Sequence, residues 1–475
     1  MREDRSIRGH CEESVGRRSN SSQIRRDCFG LWPRNESRLT GLLRSLCSLA
    51  ITIAFILLTF SAPLFAEFSI NGYWKNFFTV IDMPNDSIFP DDLQKPIGAV
   101  NNTLRLKLFY EPADWVSFHA AYDISPQFRG PAYSLMDELS VGGVGLDTYR
   151  VADFESKIYP ESDESSQSLA VFHNLDRLLV SVYLPFADID IGRQPIAWGT
   201  AHVVNPTDII VPFSYTDLDK EERPGVDAVR IRVPLGVMSE LDMGLLPGKD
   251  FDTDGDVVLF GRGKFYVMET NISVTAMGIQ GDMLAGVDFA RAIGGAGVWA
   301  EFAIYDVGDI ILECECNPLP ESSDYTISEW YQRLSFGADY SFNEKTYGFI
   351  EYHYNGAGEC NPSDYYRNYH KVAYKDAGVY LMGRNYIAPG MVYQITPLMS
   401  GSMTGLVNLS DGSAILTPNI EYNLRQDIYI SAGANIGFGK GGFESNDDIA
   451  GYPPTGQSEF GAYPDIYYTS FRIYF

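Results

Sequence analysis

The chain has 475 residues, of which 45% are apolar and 13% aromatic, with 62 acidic against 36 basic side chains. A formal charge of −26 excludes a protein that grips nucleic acid through phosphate contacts. A mean hydropathy of −0.12 excludes a bundle of membrane-spanning helices.

Residues 1–66 stand apart from the rest. Up to Arg38 they are polar, Arg-rich and without periodicity; one apolar run then extends from Leu46 to Phe60 and on to Ala66. Arg38 and Arg44 before that run, and a small residue at its end, have the layout of a secretory signal peptide that is removed. An uncleaved single-pass anchor is the other reading of the run. The expected mature chain is 67–475. Removal takes away ten Arg and six acidic residues, leaving 26 basic against 56 acidic side chains, a net of −30. Such a surface suits divalent cations and lipid headgroups, or serves solubility alone. Cys314, Cys316 and Cys360 remain in the mature part, too few for a disulfide framework.

From Glu67 onward the dominant signal is period two, as in Leu104-Arg105-Leu106-Lys107-Leu108 and Val229-Arg230-Ile231-Arg232-Val233. Strands are predicted over 68–80, 101–111, 114–124, 172–185, 187–194, 226–234, 237–246, 257–268, 270–280, 283–292, 295–305, 328–341, 345–354, 385–396, 401–410, 414–424, 426–438 and 463–475. The connections between them fall into two classes. Every second one is short, whereas the others include all the long ones: 81–100, 125–171, 195–225, 247–256, 306–327, 355–384 and 439–462. A soluble all-β protein has no reason to segregate loop lengths this way. A transmembrane antiparallel β-barrel of about 18 strands (16–18) does, with short periplasmic turns and long extracellular loops. Closure also removes the exposed edges of a large sheet.

Parity then assigns side chains. If Leu104, Leu106 and Leu108 face lipid, Arg105 and Lys107 face the lumen; by the same argument so do Arg230, Arg232, Arg262, Lys264, Arg333 and Arg472. An Arg or Lys on the lipid face costs roughly 2–4 kcal/mol at the midplane. These cations form either a ladder for anionic solutes or ion pairs with inward acids such as Glu240, Asp242, Glu301, Asp339, Glu351 and Glu421; pairing is the favoured reading. Tyr73, Trp74, Phe77 and Phe78, with Tyr467 to Phe475, are expected to contribute to aromatic girdles.

The segment 189–225 carries Gly192-Arg193-Gln194, Trp198-Gly199, Asn205-Pro206-Thr207-Asp208 and Arg223-Pro224-Gly225. With these motifs it resembles a poorly characterised family of bacterial outer-membrane barrels. The resemblance is specific over about forty residues and architectural elsewhere. It implies an outer-membrane channel or exporter, some relatives being suspected of moving lipidic or polysaccharide material. As the third outer loop, the segment is expected to fold inward. Arg193, Trp198, Asn205 and Asp208 then either line a constriction, or Arg193 and Asp208 pin the loop and touch no solute.

Further along, Asp250, Asp252, Asp254 and Asp256 alternate as in the first half of a calcium loop, but Gly261 stands where a bidentate Glu belongs. Calcium on this outer loop and a plain polar turn are both open. Glu315-Cys316-Asn317-Pro318 recurs as Glu359-Cys360-Asn361-Pro362 on the next long loop, so a disulfide between Cys360 and Cys316 (or Cys314) would clip the two together. The terminal strand alternates, with residues 467, 471, 473 and 475 forming an apolar face. It resembles the signal read by the barrel-assembly machinery. The five mature histidines, His119, His173, His202, His353 and His370, stand in no recognisable nucleophile motif. The expectation is therefore a non-enzymatic channel for small hydrophilic solutes in the outer membrane, with an export component for lipid or polysaccharide as the alternative and a barrel hydrolase behind both. The expected partners are outer-membrane lipid and lipopolysaccharide, with a homo-oligomer open; no cofactor is required.

Overall fold

The computed structural model describes residues 67–84, 95–130, 149–152, 154, 156–160, 168–213, 217–248, 257–279, 282–306, 330–375, 378–444 and 455–475. β1 (Glu67–Asp82) pairs with β2 (Ile97–Ala113), and β2 with β3 (Val116–Arg129). β5 (Leu169–Leu184) follows β3 in the wall and pairs with β6 (Ala187–Gln194); β4 (Ser156–Tyr159) is a short strand laid on the end of β5 that outreaches β6. The wall continues through β7 (Val226–Pro234), β8 (Glu240–Leu246), β9 (Val258–Val267), β10 (Thr270–Ile279), β11 (Asp282–Ile293) and β12 (Ala296–Asp306). Then come β13 (Trp330–Asn343), β14 (Thr346–Asn355), β15 (Asn385–Thr396), β16 (Met399–Asn408), β17 (Ala414–Arg425) and β18 (Ile428–Phe438). β19 (Phe443–Glu444) and β20 (Thr455–Gly456) form a separate ribbon. β21 (Asp465–Tyr474) pairs with β18 on one side and β1 on the other. Every wall contact is antiparallel, so the described residues make a closed barrel of 18 strands, with β4, β19 and β20 outside the count.

Every connection at one end of the barrel is short, seven of the eight by two residues and β7–β8 by residues 235–239; at the other end only β10–β11 and β16–β17 are as short. At Met268-Glu269 and Gly294-Gly295 both turn residues have positive φ. That is the mirror-image turn whose twist matches two antiparallel strands. The predicted strands are all present, although β2 begins at Ile97, β3 runs to Arg129 and β8 starts only at Glu240. β4 has no counterpart among the predicted strands.

The two faces are sorted as parity requires. Leu178, Val274, Ile350 and Ile420 point outward and are each more than half exposed, whereas Arg105, Asp190, Asp242, Asp288 and Glu301 point inward and are buried. An exterior of this kind is stable only against an apolar medium. Val274→Arg, at mid-height of β10, is therefore expected to cost roughly 2–4 kcal/mol. Urea titration of the heat-modifiable folded band in lipid vesicles measures it, with Thr275→Arg on the inward face as the comparison. The girdle expectation needs one correction. Tyr73 lies opposite Arg105 and Tyr474 in register, and Phe77 opposite Ser470, so both point into the lumen. Of the four aromatics on β1 only Trp74 and Phe78 face outward, and Trp74 meets Phe471 edge-on at 5.9 Å; on β21 Tyr468 and Tyr474 likewise turn inward.

Candidate functional site

The third outer loop, 195–225, enters the barrel and crosses it. Its first arm hangs on two wall carboxylates. Glu301 on β12 accepts the backbone N–H groups of Thr200 (2.9 Å), Ala201 (3.3 Å) and Thr207 (2.7 Å), and the Thr207 hydroxyl (2.7 Å). Glu351 on β14 accepts those of His202 (2.7 Å), Val203 (3.2 Å) and Val204 (3.0 Å), and the Trp299 indole N–H (3.1 Å). A segment without regular structure must find partners for its backbone donors, and these acids supply them. Behind this arm, Ile196, Trp198, Ile209, Ile210 and Val211 pack on wall residues Val226, Leu246, Val258, Phe260, Met277 and Leu284.

The second arm reaches the opposite wall. Asp219 and Glu221 engage the Lys75 ammonium on β1 at 2.8 and 2.7 Å, Glu222 pairs with Lys107 on β2, and Tyr474 on β21 donates to Glu221 at 2.6 Å. The two arms are joined by Asp208 and Arg223, whose ion pair spans 2.5 Å, with Arg223 over the Phe213 ring at 4.4 Å. Burial pushes the Asp208 carboxyl up to about 7, against the pull of Arg223.

The motifs of this segment meet in space. Gly199 has φ +113°, and a Cβ there would stand 2.2 Å from Asn205 Oδ1. The glycine of Trp-Gly thus makes room for the asparagine of the next motif. Gly225 donates its N–H to Asp176 (2.8 Å), and a Cβ there would meet the Asp176 carbonyl at 2.1 Å.

A cavity of about 480 Å³ remains between the loop and the wall. Its lining includes His202, Asn205, Asp208, Lys220 and Arg223 from the loop, with Arg333, Phe349, Thr404 and Thr417 from the wall. His202 lies flat on Trp299, ring centroids 3.9 Å apart, and burial lowers its pKa, which favours the neutral ring. The inner wall from β16 to β21 carries a row of hydroxyls: Ser400, Ser402, Thr404, Thr417, Ser431 and Ser470 share the inward register. Above it Glu459 is buried, accepting from Met382 N–H (2.9 Å), Asn408 (2.7 Å) and the Tyr386 hydroxyl (2.5 Å). The seventh outer connection, between β14 and β15 (loop 7, 356–384), and the ninth, between β18 and β21 (loop 9, 439–464), are thereby tied into a roof.

The residues singled out in the sequence divide. Asn205 and Asp208 line the cavity. Arg193 and Trp198 do not, which corrects the constriction reading for both. Arg193 shares parity with the outward Ile189 and Ile191. It is buried between Asp227 (2.9 Å), the Leu175 and Ala152 carbonyls and the Phe154 ring, so it pins the second outer connection, between β3 and β5 (loop 2, 130–168), to the barrel. Trp198 is buried behind the loop, its indole N–H on Asp242 (3.2 Å) and its ring against Phe260. The inward cations are mostly neutralised: Arg105 by Asp123 and Asp176, Lys107 by Glu222, Arg230 by Asp242, Arg232 by Asp190 and Arg262 by Asp288. These contacts favour charge pairing over a continuous cationic ladder. Lys264 is exposed, opposite Glu240 in register. Asp250, Asp252, Asp254, Asp256, Cys314 and Cys316 lie outside the described residues; Cys360 is exposed. Lys75, Lys220, Thr404 and Thr417 were missed. Parity would have found Lys75 and the threonines; Lys220, on the loop, obeys none.

No family model matches the chain, and no curated protein matches it. Among solved structures the fold is similar to Pseudomonas aeruginosa OccK5 (OpdH), 9% identical, covering 86% of this chain and 98% of that one at a TM-score of 0.49. It is also similar to Acinetobacter baumannii OccAB4, 9% identical over 86% and 98% at 0.47. A mutant Rh. blastica porin, 11% identical over 86% and 100%, gives 0.41.

Proposed function

We propose that this chain is an outer-membrane channel for small hydrophilic solutes, in which the third loop sets the constriction. The observation that carries this reading is the polar cavity between that loop and a wall of serines and threonines, inside a closed barrel with an apolar exterior. A lumen lined by hydroxyls and balanced ion pairs keeps water and polar solutes solvated as they pass. The seam between β1 and β21 is zipped from Tyr73–Tyr474 to Asp82–Asp465. It offers no lateral gap of the kind an exporter of lipid would use, so passage along the barrel axis is favoured. Exported and assembled in this way, the chain would meet lipopolysaccharide at its rim and present its last strand to the assembly machinery.

The test is single-channel conductance of residues 67–475, refolded and inserted into a planar bilayer. Stable ohmic steps of weak ion selectivity are expected, since most lumen charges are paired. A folded, heat-modifiable barrel without conductance would refute the channel reading.

A further inference from the structure

On the outside of the barrel three side chains from three strands meet in a relay. Ser156 Oγ on β4 lies 2.6 Å from His173 Nε2 on β5, and His173 Nδ1 lies 2.8 Å from Tyr122 Oη on β3. The pairing of β4 on β5 sets Ser156 beside His173, and His173 lies opposite Ile124 on the outward face that also carries Tyr122. With the Nδ1 proton donated to the tyrosine oxygen, Nε2 is left with the lone pair that accepts the serine proton. That is the geometry of a serine activated by a general base whose orientation a third group fixes.

The surroundings say what such a serine would meet. Tyr122, Phe128, Phe154, Ile158 and Tyr159 are all exposed, so the relay sits in an apolar surface rather than in a polar rim. His173 stands 11 residues along β5 from its end at Leu184. At ~3.4 Å per residue and a ~40° tilt, that places it roughly 25–30 Å above the turns, at the upper border of an apolar band ~25 Å tall. Ester carbonyls of the outer leaflet lie at that border. A second Ser–His pair shows the contrast. Ser335 is 2.8 Å from His353, but it is buried and its hydroxyl already donates to the Val204 carbonyl at 2.6 Å. That proton is committed to holding loop 3; the Ser156 proton is not.

We infer that Ser156, His173 and Tyr122 form an exterior acyl-ester hydrolase site acting on fatty-acyl esters of the outer leaflet. Ser156 Oγ adds to the ester carbonyl carbon while His173 Nε2 takes the hydroxyl proton. The acyl–oxygen bond breaks, and His173 returns that proton to the departing alcohol. Water then adds to the acyl-serine, His173 takes its proton, and the proton returns to Oγ as the fatty acid leaves. Tyr122 is a positioning residue.

The experiment uses the refolded chain 67–475 in mixed micelles, first with phosphatidylethanolamine and separately with lipopolysaccharide. Released fatty acid is measured by mass spectrometry, and a long-chain alkyl fluorophosphonate traps the nucleophile. Release is expected from at least one lipid, and the one that reacts identifies the source of the ester. The label is expected on the peptide bearing Ser156. Ser156→Ala and His173→Asn are expected to lower release ~10²-fold or more, with channel conductance and heat-modifiability unchanged as proof of folding. Tyr122→Phe is expected to lower kcat at unchanged KM. No release from either lipid together with no labelling, or release that survives Ser156→Ala, would overturn the inference and leave the relay as a tether for loop 2.

Discussion

Replacing Glu301 and Glu351 together by alanine is expected to raise single-channel conductance severalfold and to turn steady steps into noisy ones. Each carboxylate is buried and holds three backbone N–H groups of loop 3, those of residues 200, 201 and 207 for Glu301 and 202–204 for Glu351. Charge-assisted bonds of this kind contribute roughly 1.5–3 kcal/mol each, so even with strong non-additivity each acid anchors the arm by several kcal/mol. Without them the segment 200–207 has a cheap alternative, because its donors can turn to lumen water once the arm leaves the wall. The second arm stays tied through Lys75, so the loop swings and does not leave. Conservative Glu→Gln changes keep an acceptor at each site and are expected to fall between the two states. Planar-bilayer recordings of the variants, refolded to the same heat-modifiable band, decide the matter. Wild-type conductance in the double alanine variant would mean that loop 3 is held by its apolar back, and that the acids merely neutralise it.

The barrel was legible in the sequence because its signals are local and repeated. Alternation, turn lengths and loop asymmetry recur over the 18 wall strands, so errors of a few residues at β2 or β8 leave the count intact. Inward charge was legible for the same reason: parity is a two-residue rule. What failed lies where parity stops applying. Arg193 follows Gly192 at φ +119°, at the outer end of β6 where the wall gives way to loop cover, and an outward arginine is affordable there because loop 2 folds over it. Tyr73 and Phe77 misled because aromatic type was weighed above register. The relay at Ser156 could not be read at all. Its members come from residues 122, 156 and 173, and the strand that carries the serine is four residues long.

Between about pH 4.5 and pH 7 the roof formed by loops 7 and 9 is expected to loosen, and Glu459→Gln is expected to abolish that response. Glu459 sits in loop 9 outside the membrane-spanning strands, and burial pushes its carboxyl up to about 7, although Tyr386, Met382 and Asn408 all donate to it. Asp411, which accepts the Glu459 N–H at 2.7 Å, adds a second negative charge nearby. A carboxylic acid whose folded pKa is raised binds its proton more tightly in the closed roof than in the open one. The closed form is therefore fully favoured below the ordinary glutamate range, and it loses that advantage as pH rises toward and through 7. A shift from 4.5 to about 7 corresponds to roughly 3 kcal/mol at the alkaline end, enough to change the open population by about a hundredfold. Amide hydrogen exchange, corrected for the intrinsic pH effect, reads this directly at 379–386 and 458–463. Protection there should fall across the window in the wild type, while the glutamine, which never acquires the buried charge, should hold it flat. Parallel profiles for the two proteins would place the proton elsewhere, and Asp208, raised to about 7 by the same cause, would be the next residue to replace.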